Sequence, residues 1–93
     1  MAIDRRYSCF RLIKPPDDLS GRQAIFMYEL IVKLGREPGK ARWLTLSEVA
    51  NAAEAAGYKQ LLDPGKGNVE VPDSVYYWLN KWSRKGFIMR NEP

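Results

Sequence analysis

Apolar residues in this chain fall into three helix-length groups, each bounded by glycine, proline or a capping residue. The first group, residues 24–34, is apolar on almost every side, which predicts a helix that is largely buried. Ser20 and Gln23 have the capping-box spacing that begins a helix, and Gly35 is expected to end it in a left-handed conformation. We therefore expect a central core helix between these two signals.

The second group, residues 46–56, places small and aliphatic residues on one face, which lets another helix approach closely. Thr45 and Glu48 repeat the capping-box spacing at its start, and the next glycine marks its end. Residues 59–62 are expected to add a helical turn. The segment 63–68 is rich in glycine, proline and aspartate or asparagine, and it predicts a flexible loop.

The third group begins near Asp73, which follows Pro72 and can cap the helix, and it ends at Gly86. At about 3.6 residues per turn, Trp82 falls on an apolar stripe that predicts burial, with Trp78 at its edge. A second stripe is polar and basic, and it is expected to face solvent. The apolar stripe contains Val75, Leu79 and Trp82, and the polar stripe contains Ser74, Tyr77, Lys81 and Arg84.

Short alternating segments outside the helices predict a small β component. Residues 42–46 and 87–90 suit two strands, which we expect to pair as an antiparallel ladder. Residues 7–13 alternate loosely and predict either a further strand or an arm. The chain is therefore divided into an N-terminal strand or arm with its linker, residues 1–18, and a main domain, residues 19–93.

The order helix, strand, helix, helix, strand resembles a winged helix-turn-helix domain over residues 20–90. Residues 43–57, WLTLSEVANAAEAAG, resemble the strand and second helix of bacterial winged-helix regulators. Residues 75–90, VYYWLNKWSRKGFIMR, resemble the recognition helix and the strand that follows it. The resemblance implies a mainly α fold with three helices and a short antiparallel sheet. Because the chain stops soon after Arg90, we expect the wing to be reduced or missing, or its outer strand to be replaced by residues 7–13.

If the resemblance holds, the third helix lies in the major groove of double-stranded DNA, bound sequence-specifically or generally, as in a transcriptional regulator of bacterial or phage type. The net charge of +4 is concentrated in two basic zones, residues 19–42 and 74–93. Lysine and arginine neutralise phosphates, whereas asparagine can pair with adenine and arginine with guanine. The expected DNA-binding residues are Ser74, Tyr77, Asn80, Lys81, Arg84, Lys85, Lys66 and Arg90, with Arg22, Lys40 and Arg42 as outlying phosphate contacts.

The aromatic residues of the third helix leave a second function open, a homodimer or a protein-interaction module within a larger assembly. An exposed Trp78 would favour a protein partner. A buried Trp78 beside an open polar stripe would favour nucleic acid.

Enzymatic activity is not expected, because the chain has no histidine and a single cysteine, Cys9, and shows no metal-ligand constellation. We accordingly expect no cofactor and no metal. No apolar run approaches the roughly 18 residues of a membrane span, and the charged start lacks the apolar segment of a secretion signal. A cytoplasmic protein that does not enter the membrane is therefore expected.

Overall fold

The computed structural model describes residues 8–17, 19–35, 42–62 and 70–91, and within them the chain forms three α helices and a small antiparallel sheet. The predicted fold class, mainly α with a small β component, is confirmed. In chain order the elements are β1 Cys9–Leu12, α1 Arg22–Gly35, β2 Leu44–Thr45, α2 Leu46–Ala55, a 3₁₀ turn Tyr58–Leu61, α3 Val71–Arg84 and β3 Ile88–Asn91.

The sheet has the strand order β2-β1-β3, so the N-terminal strand lies in the middle. Phe10 of β1 pairs with Leu44 on one side and with Arg90 on the other, and both pairings are antiparallel. The predicted ladder between residues 42–46 and 87–90 is wrong, because β1 occupies the position between these two segments. Of the two alternatives for the N-terminal segment, the strand is the one found.

One face of this sheet joins the helices in a shared apolar core. Phe10 and Leu12 of β1 are buried, and so is Ile88 of β3. The alternate residues point away from the core, as the twofold period of a strand requires, and Met89 is 50% exposed. The described part of the segment 1–18 therefore shares its core with the main domain.

Helix α1 and strand β2 approach closely at Gly35, the last residue of α1. The predicted left-handed conformation of Gly35 is wrong, because Gly35 stays helical and has no positive φ. A β-carbon at this position would lie 3.3 Å from Leu44 Cδ1, so the glycine allows β2 to pack against the helix end. Arg42 reinforces the junction: its Nε donates to the Leu34 carbonyl at 3.2 Å, and its Nη2 lies 3.0 Å from Glu48 Oε2.

The capping box at the start of α2 is confirmed. Thr45 Oγ1 accepts the Glu48 backbone N–H at 3.1 Å, and Glu48 Oε1 accepts the Thr45 backbone N–H at 3.3 Å. The side-chain hydrogen bond from Arg42 lowers the pKa of the Glu48 carboxyl. After α2, Gly57 at φ +87° turns the chain into the 3₁₀ turn, which confirms the predicted helical turn.

Helix α3 begins at Val71, earlier than the predicted cap at Asp73. Glu70 occupies the N-cap position, and Pro72 lies in the first turn. Proline is compatible with this turn because its missing N–H would have no acceptor within the helix. The residue before a proline therefore does not end the helix here, which is why the predicted boundary comes too late.

The end of α3 leads directly into β3 through Gly86, whose φ of +83° is left-handed. The Gly86 N–H donates to the Ser83 carbonyl at 3.2 Å, and the Phe87 N–H donates to the Trp82 carbonyl at 2.9 Å. These two bonds form a Schellman motif, which satisfies carbonyls at the helix end. The tight exit brings β3, and with it Arg90, back along the side of α3.

Candidate nucleic-acid interface

The rotation of α3 about its axis agrees with the prediction from the apolar stripe. Val75, Leu79 and Trp82 are buried, and Trp82 is only 2% exposed. On the other side of the helix, Tyr77 is 56% exposed and Arg84 is also exposed. Arg84 therefore faces solvent, Lys81 is half-buried, and the indole of Trp82 faces the core.

Ser74 is the exception to the predicted polar stripe. It is buried, and its Oγ lies 2.7 Å from Tyr58 Oη. Tyr58 is itself fully buried, and this burial raises the pKa of its phenol. The predicted placement of Ser74 on a solvent-facing DNA-binding surface is wrong, because its side chain is buried and bonded to the buried hydroxyl of Tyr58.

Trp78 lies on the border between core and solvent. Its side chain is half-buried, with ring centroids 5.4 Å from those of both Trp82 and Tyr77. Its Nε1 donates to Gln23 Oε1 at 3.4 Å, while Gln23 Nε2 donates to the Leu61 carbonyl at 2.9 Å. Trp78 is thus neither the exposed residue that would favour a protein partner nor a fully buried one.

The ammonium group of Lys81 lies over two aromatic rings. Its Nζ is 5.1 Å from the ring centroid of Trp78 and 5.7 Å from that of Tyr77. A cation within about 6 Å of a ring face is attracted by the ring quadrupole, and the lysine stem can pack on the same apolar surface. This contact restricts the side chain and holds a positive charge beside the exposed face of α3.

An open groove runs along the exposed side of α3 and brings together five of the predicted DNA-binding residues. Three cations and one carboxylate line it, so its formal charge is positive. Two tyrosine rings supply apolar surface between the charges. The lining residues are Asp73, Tyr76, Tyr77, Asn80, Lys81, Arg84 and Lys85.

Two of these lining residues, Asp73 and Tyr76, are not among the predicted site residues. Asp73 has the character of a helix cap, and Tyr76 falls between the two predicted stripes. Each lies four residues before a predicted contact, Asp73 before Tyr77 and Tyr76 before Asn80, and residues four apart share a helix face. That spacing is the sequence signal that identifies both.

Arg90 of β3, a predicted DNA-binding residue, contacts α3 itself. Its Nη1 donates to Asn80 Oδ1 at 2.8 Å. Its guanidinium carbon lies 5.1 Å from the ring centroid of Tyr76 and 5.8 Å from that of Phe10. Arg90 therefore lies behind the groove, where it supports Asn80, and it is not one of the groove-lining residues.

Two of the outlying cations predicted to contact phosphate, Arg22 and Arg42, are described and are not among the residues that line this groove. Lys66 and Lys40 lie outside the described residues. The guanidinium group of Arg42 is already bound within the protein, by the Leu34 carbonyl and by Glu48. Arg22 is exposed at the start of α1.

Within the described ranges, no group of three or more histidine, cysteine, aspartate or glutamate side chains could hold a metal ion. In the same part of the chain, none of the helices has the length and apolar character needed to cross a membrane. The chain matches no family model, and no significant match to it is found among curated proteins or solved structures. What the groove binds is therefore inferred from its own chemistry.

Proposed function

We propose that this protein is a double-stranded DNA-binding domain of the winged-helix type, and that it acts in the cytoplasm as a transcriptional regulator of bacterial or phage type. The observation that carries the proposal is the positively charged groove of α3, which opens to solvent on the side opposite the buried Trp82. In this proposal α3 enters the major groove, as the second helix of helix-turn-helix proteins does.

The charged residues suit contacts with phosphates on either side of that helix. Lys81, Arg84 and Lys85 lie on the last turn of α3 and its C-cap, spread over about 6 Å of the helix axis at 1.5 Å per residue. Cations in such an array attract the phosphate backbone and release its condensed counterions, which makes binding strongly salt-dependent. Tyr77, which is 56% exposed, can donate its hydroxyl hydrogen to a phosphate or a base edge.

The N-terminal strand has a role in this proposal as well. Strand β1 pairs with β3 along Cys9–Leu12. This pairing supports the alternative in which the N-terminal segment takes the place of the wing's outer strand. DNA recognition would then rest on α3, without minor-groove contacts from a wing.

A second candidate function, a homodimer or a protein-interaction module, is favoured by a different surface. Ile13, Trp43 and Met89 are large apolar side chains at the sheet, and they are 40%, 36% and 50% exposed. Exposed apolar side chains that lie together are typical of protein–protein contacts. Arg11, which pairs with Met89 in the sheet, adds a residue type that is enriched at such interfaces.

One experiment separates the two functions. A random-sequence DNA duplex is titrated with the protein at two salt concentrations, and size-exclusion chromatography with light scattering is run on the free protein. DNA binding that weakens strongly at the higher salt concentration supports the regulator. No DNA binding at either salt concentration, together with a stable dimer, supports the interaction module and contradicts the regulator.

A further inference from the structure

The amide group of Asn80 is oriented by a residue from another element. Arg90 reaches from β3 to α3, and the 2.8 Å bond from its Nη1 to Asn80 Oδ1 is part-buried. The guanidinium group is restricted in turn, because the rings of Tyr76 and Phe10 lie 5.1 and 5.8 Å from its central carbon. The backbone of Arg90 pairs with that of Phe10, and this pairing fixes the position from which the Arg90 side chain extends.

The identity of the Asn80 atom that faces Arg90 follows from chemistry. A guanidinium group has five N–H donors and no acceptor, so only an oxygen can satisfy it. The carboxamide is planar, and its NH₂ group therefore points away from Arg90. Because Asn80 lines the groove of α3, its two N–H donors are the polar atoms that it can offer to a ligand there.

This orientation decides which base Asn80 can read. An asparagine that recognises adenine aims its oxygen at N6 and its nitrogen at N7, and here the oxygen is turned towards Arg90, which is not a groove-lining residue, so the NH₂ group is the end directed away from Arg90. Guanine presents two acceptors, N7 and O6, on the same edge. We propose that Arg90 is a positioning residue that makes Asn80 a donor-only reader of guanine in the major groove, a specificity that rests on the proposed DNA-binding function.

The test is selection of bound duplexes from a random-sequence library, followed by titration of the selected site and of single-base variants. The proteins are the wild type, Asn80→Ala, Arg90→Met and Arg90→Lys. Methionine keeps much of the apolar stem but removes the donor, whereas lysine keeps one donor for Asn80 Oδ1. Arg11→Met is the matched control, because it removes the same charge from neighbouring β1, at a position paired with Met89. Thermal unfolding of each variant checks that it is folded.

The wild type is expected to select a guanine at one position and to prefer it over adenine by roughly tenfold or more, in the range of a good base contact. Asn80→Ala should lose that preference, Arg90→Met should reduce it at the same position, and Arg90→Lys should retain most of it. Arg11→Met should keep the wild-type preference. In the free protein, the Asn80 side-chain NH₂ signals in a nitrogen–proton correlation spectrum should shift in Arg90→Met and stay near their wild-type positions in Arg11→Met.

Two results would overturn the inference while leaving DNA binding intact. One is a folded Arg90→Met that weakens binding to all sequences equally and keeps the guanine preference. The other is a wild type that binds duplex DNA with no base preference dependent on Asn80, which would assign the amide to a phosphate. Failure of the wild type to bind any duplex would instead contradict the proposed function, and the NMR comparison would still report whether Arg90 orients Asn80.

Discussion

Replacing Ser74 by alanine separates a structural role from a DNA-contacting one. The hydroxyl of Ser74 is buried and lies 2.7 Å from Tyr58 Oη. We therefore expect Ser74→Ala to lower the stability of the domain and to leave its affinity for DNA unchanged. A serine that contacted DNA from an exposed helix face would give the opposite pattern.

The magnitude follows from what the substitution leaves behind. Tyr58 is fully buried, and its hydroxyl keeps a 3.4 Å contact with Gln23 Oε1 after Ser74 is truncated. A lost hydrogen bond costs about 1 kcal/mol net, and a buried polar group left unsatisfied costs about 1–3 kcal/mol. Because Gln23 is a partial substitute, we expect a loss of about 1–2 kcal/mol. In a domain of this size that corresponds to a decrease in Tm of roughly 4–16 °C.

The assay is urea unfolding of four proteins, the wild type, Ser74→Ala, Tyr58→Phe and the double variant, each also titrated with duplex DNA. If the two hydroxyls bond to each other, the double variant should be less destabilised than the sum of the single variants by about 1 kcal/mol. Additive losses would show that the pair does not interact. A Ser74→Ala protein with wild-type stability and weakened DNA binding would refute the placement of Ser74 in the core.

Three further predictions concern stability. Trp82→Ala should lower the free energy of unfolding by about 3–5 kcal/mol, because Trp82 is 2% exposed. Tyr77→Ala on the open face should change it by less than about 0.5 kcal/mol. Equal melting temperatures for Trp82→Ala and the wild type would mean that α3 is rotated. Thr45→Ala should cost about 1 kcal/mol by removing the capping box of α2, as measured by urea unfolding against Ser47→Ala, an exposed neighbour. Burial raises the pKa of Tyr58, so the unfolded chain ionises first as pH rises past about 10. The stability due to this neutral phenol is therefore fully present below about pH 10 and lost above it, and Tyr58→Phe should show a smaller alkaline decrease in unfolding free energy.

The features that could be predicted from the sequence are those whose causes are local. The capping box of α2 depends on Thr45 and Glu48, three residues apart, and it is found with both hydrogen bonds. The buried stripe of α3 depends on helix periodicity alone, and Trp82 is buried as predicted.

Apart from the start of α3, the predictions that are wrong depend on contacts between separate segments. Periodicity places Ser74 on the polar stripe, but its buried hydroxyl bonds to that of Tyr58, which lies 16 residues away in the sequence. Alternation identifies the strands without giving their order, and β1 separates β2 from β3. Gly35 is predicted from the sequence to end the helix in a left-handed conformation, yet it stays helical, and the neighbour that a β-carbon there would approach at 3.3 Å is Leu44 across the junction. No short-range signal connects Arg90 with Asn80, because their bond depends on how β3 returns along α3.

The salt dependence of DNA binding tests the central claim most directly. The affinity of the wild type, of Lys81→Ala/Arg84→Ala and of Arg11→Ala/Lys33→Ala for one duplex is measured at several salt concentrations. The last variant removes the same charge from residues that do not line the α3 groove. If Lys81 and Arg84 each neutralise a phosphate, the slope of log affinity against log salt should become shallower by about 1.8, at 0.9 per phosphate, and the control should keep the wild-type slope. Equal slopes for the wild type and the α3 variant, or an equal loss in the control, would contradict α3 as the DNA-binding face.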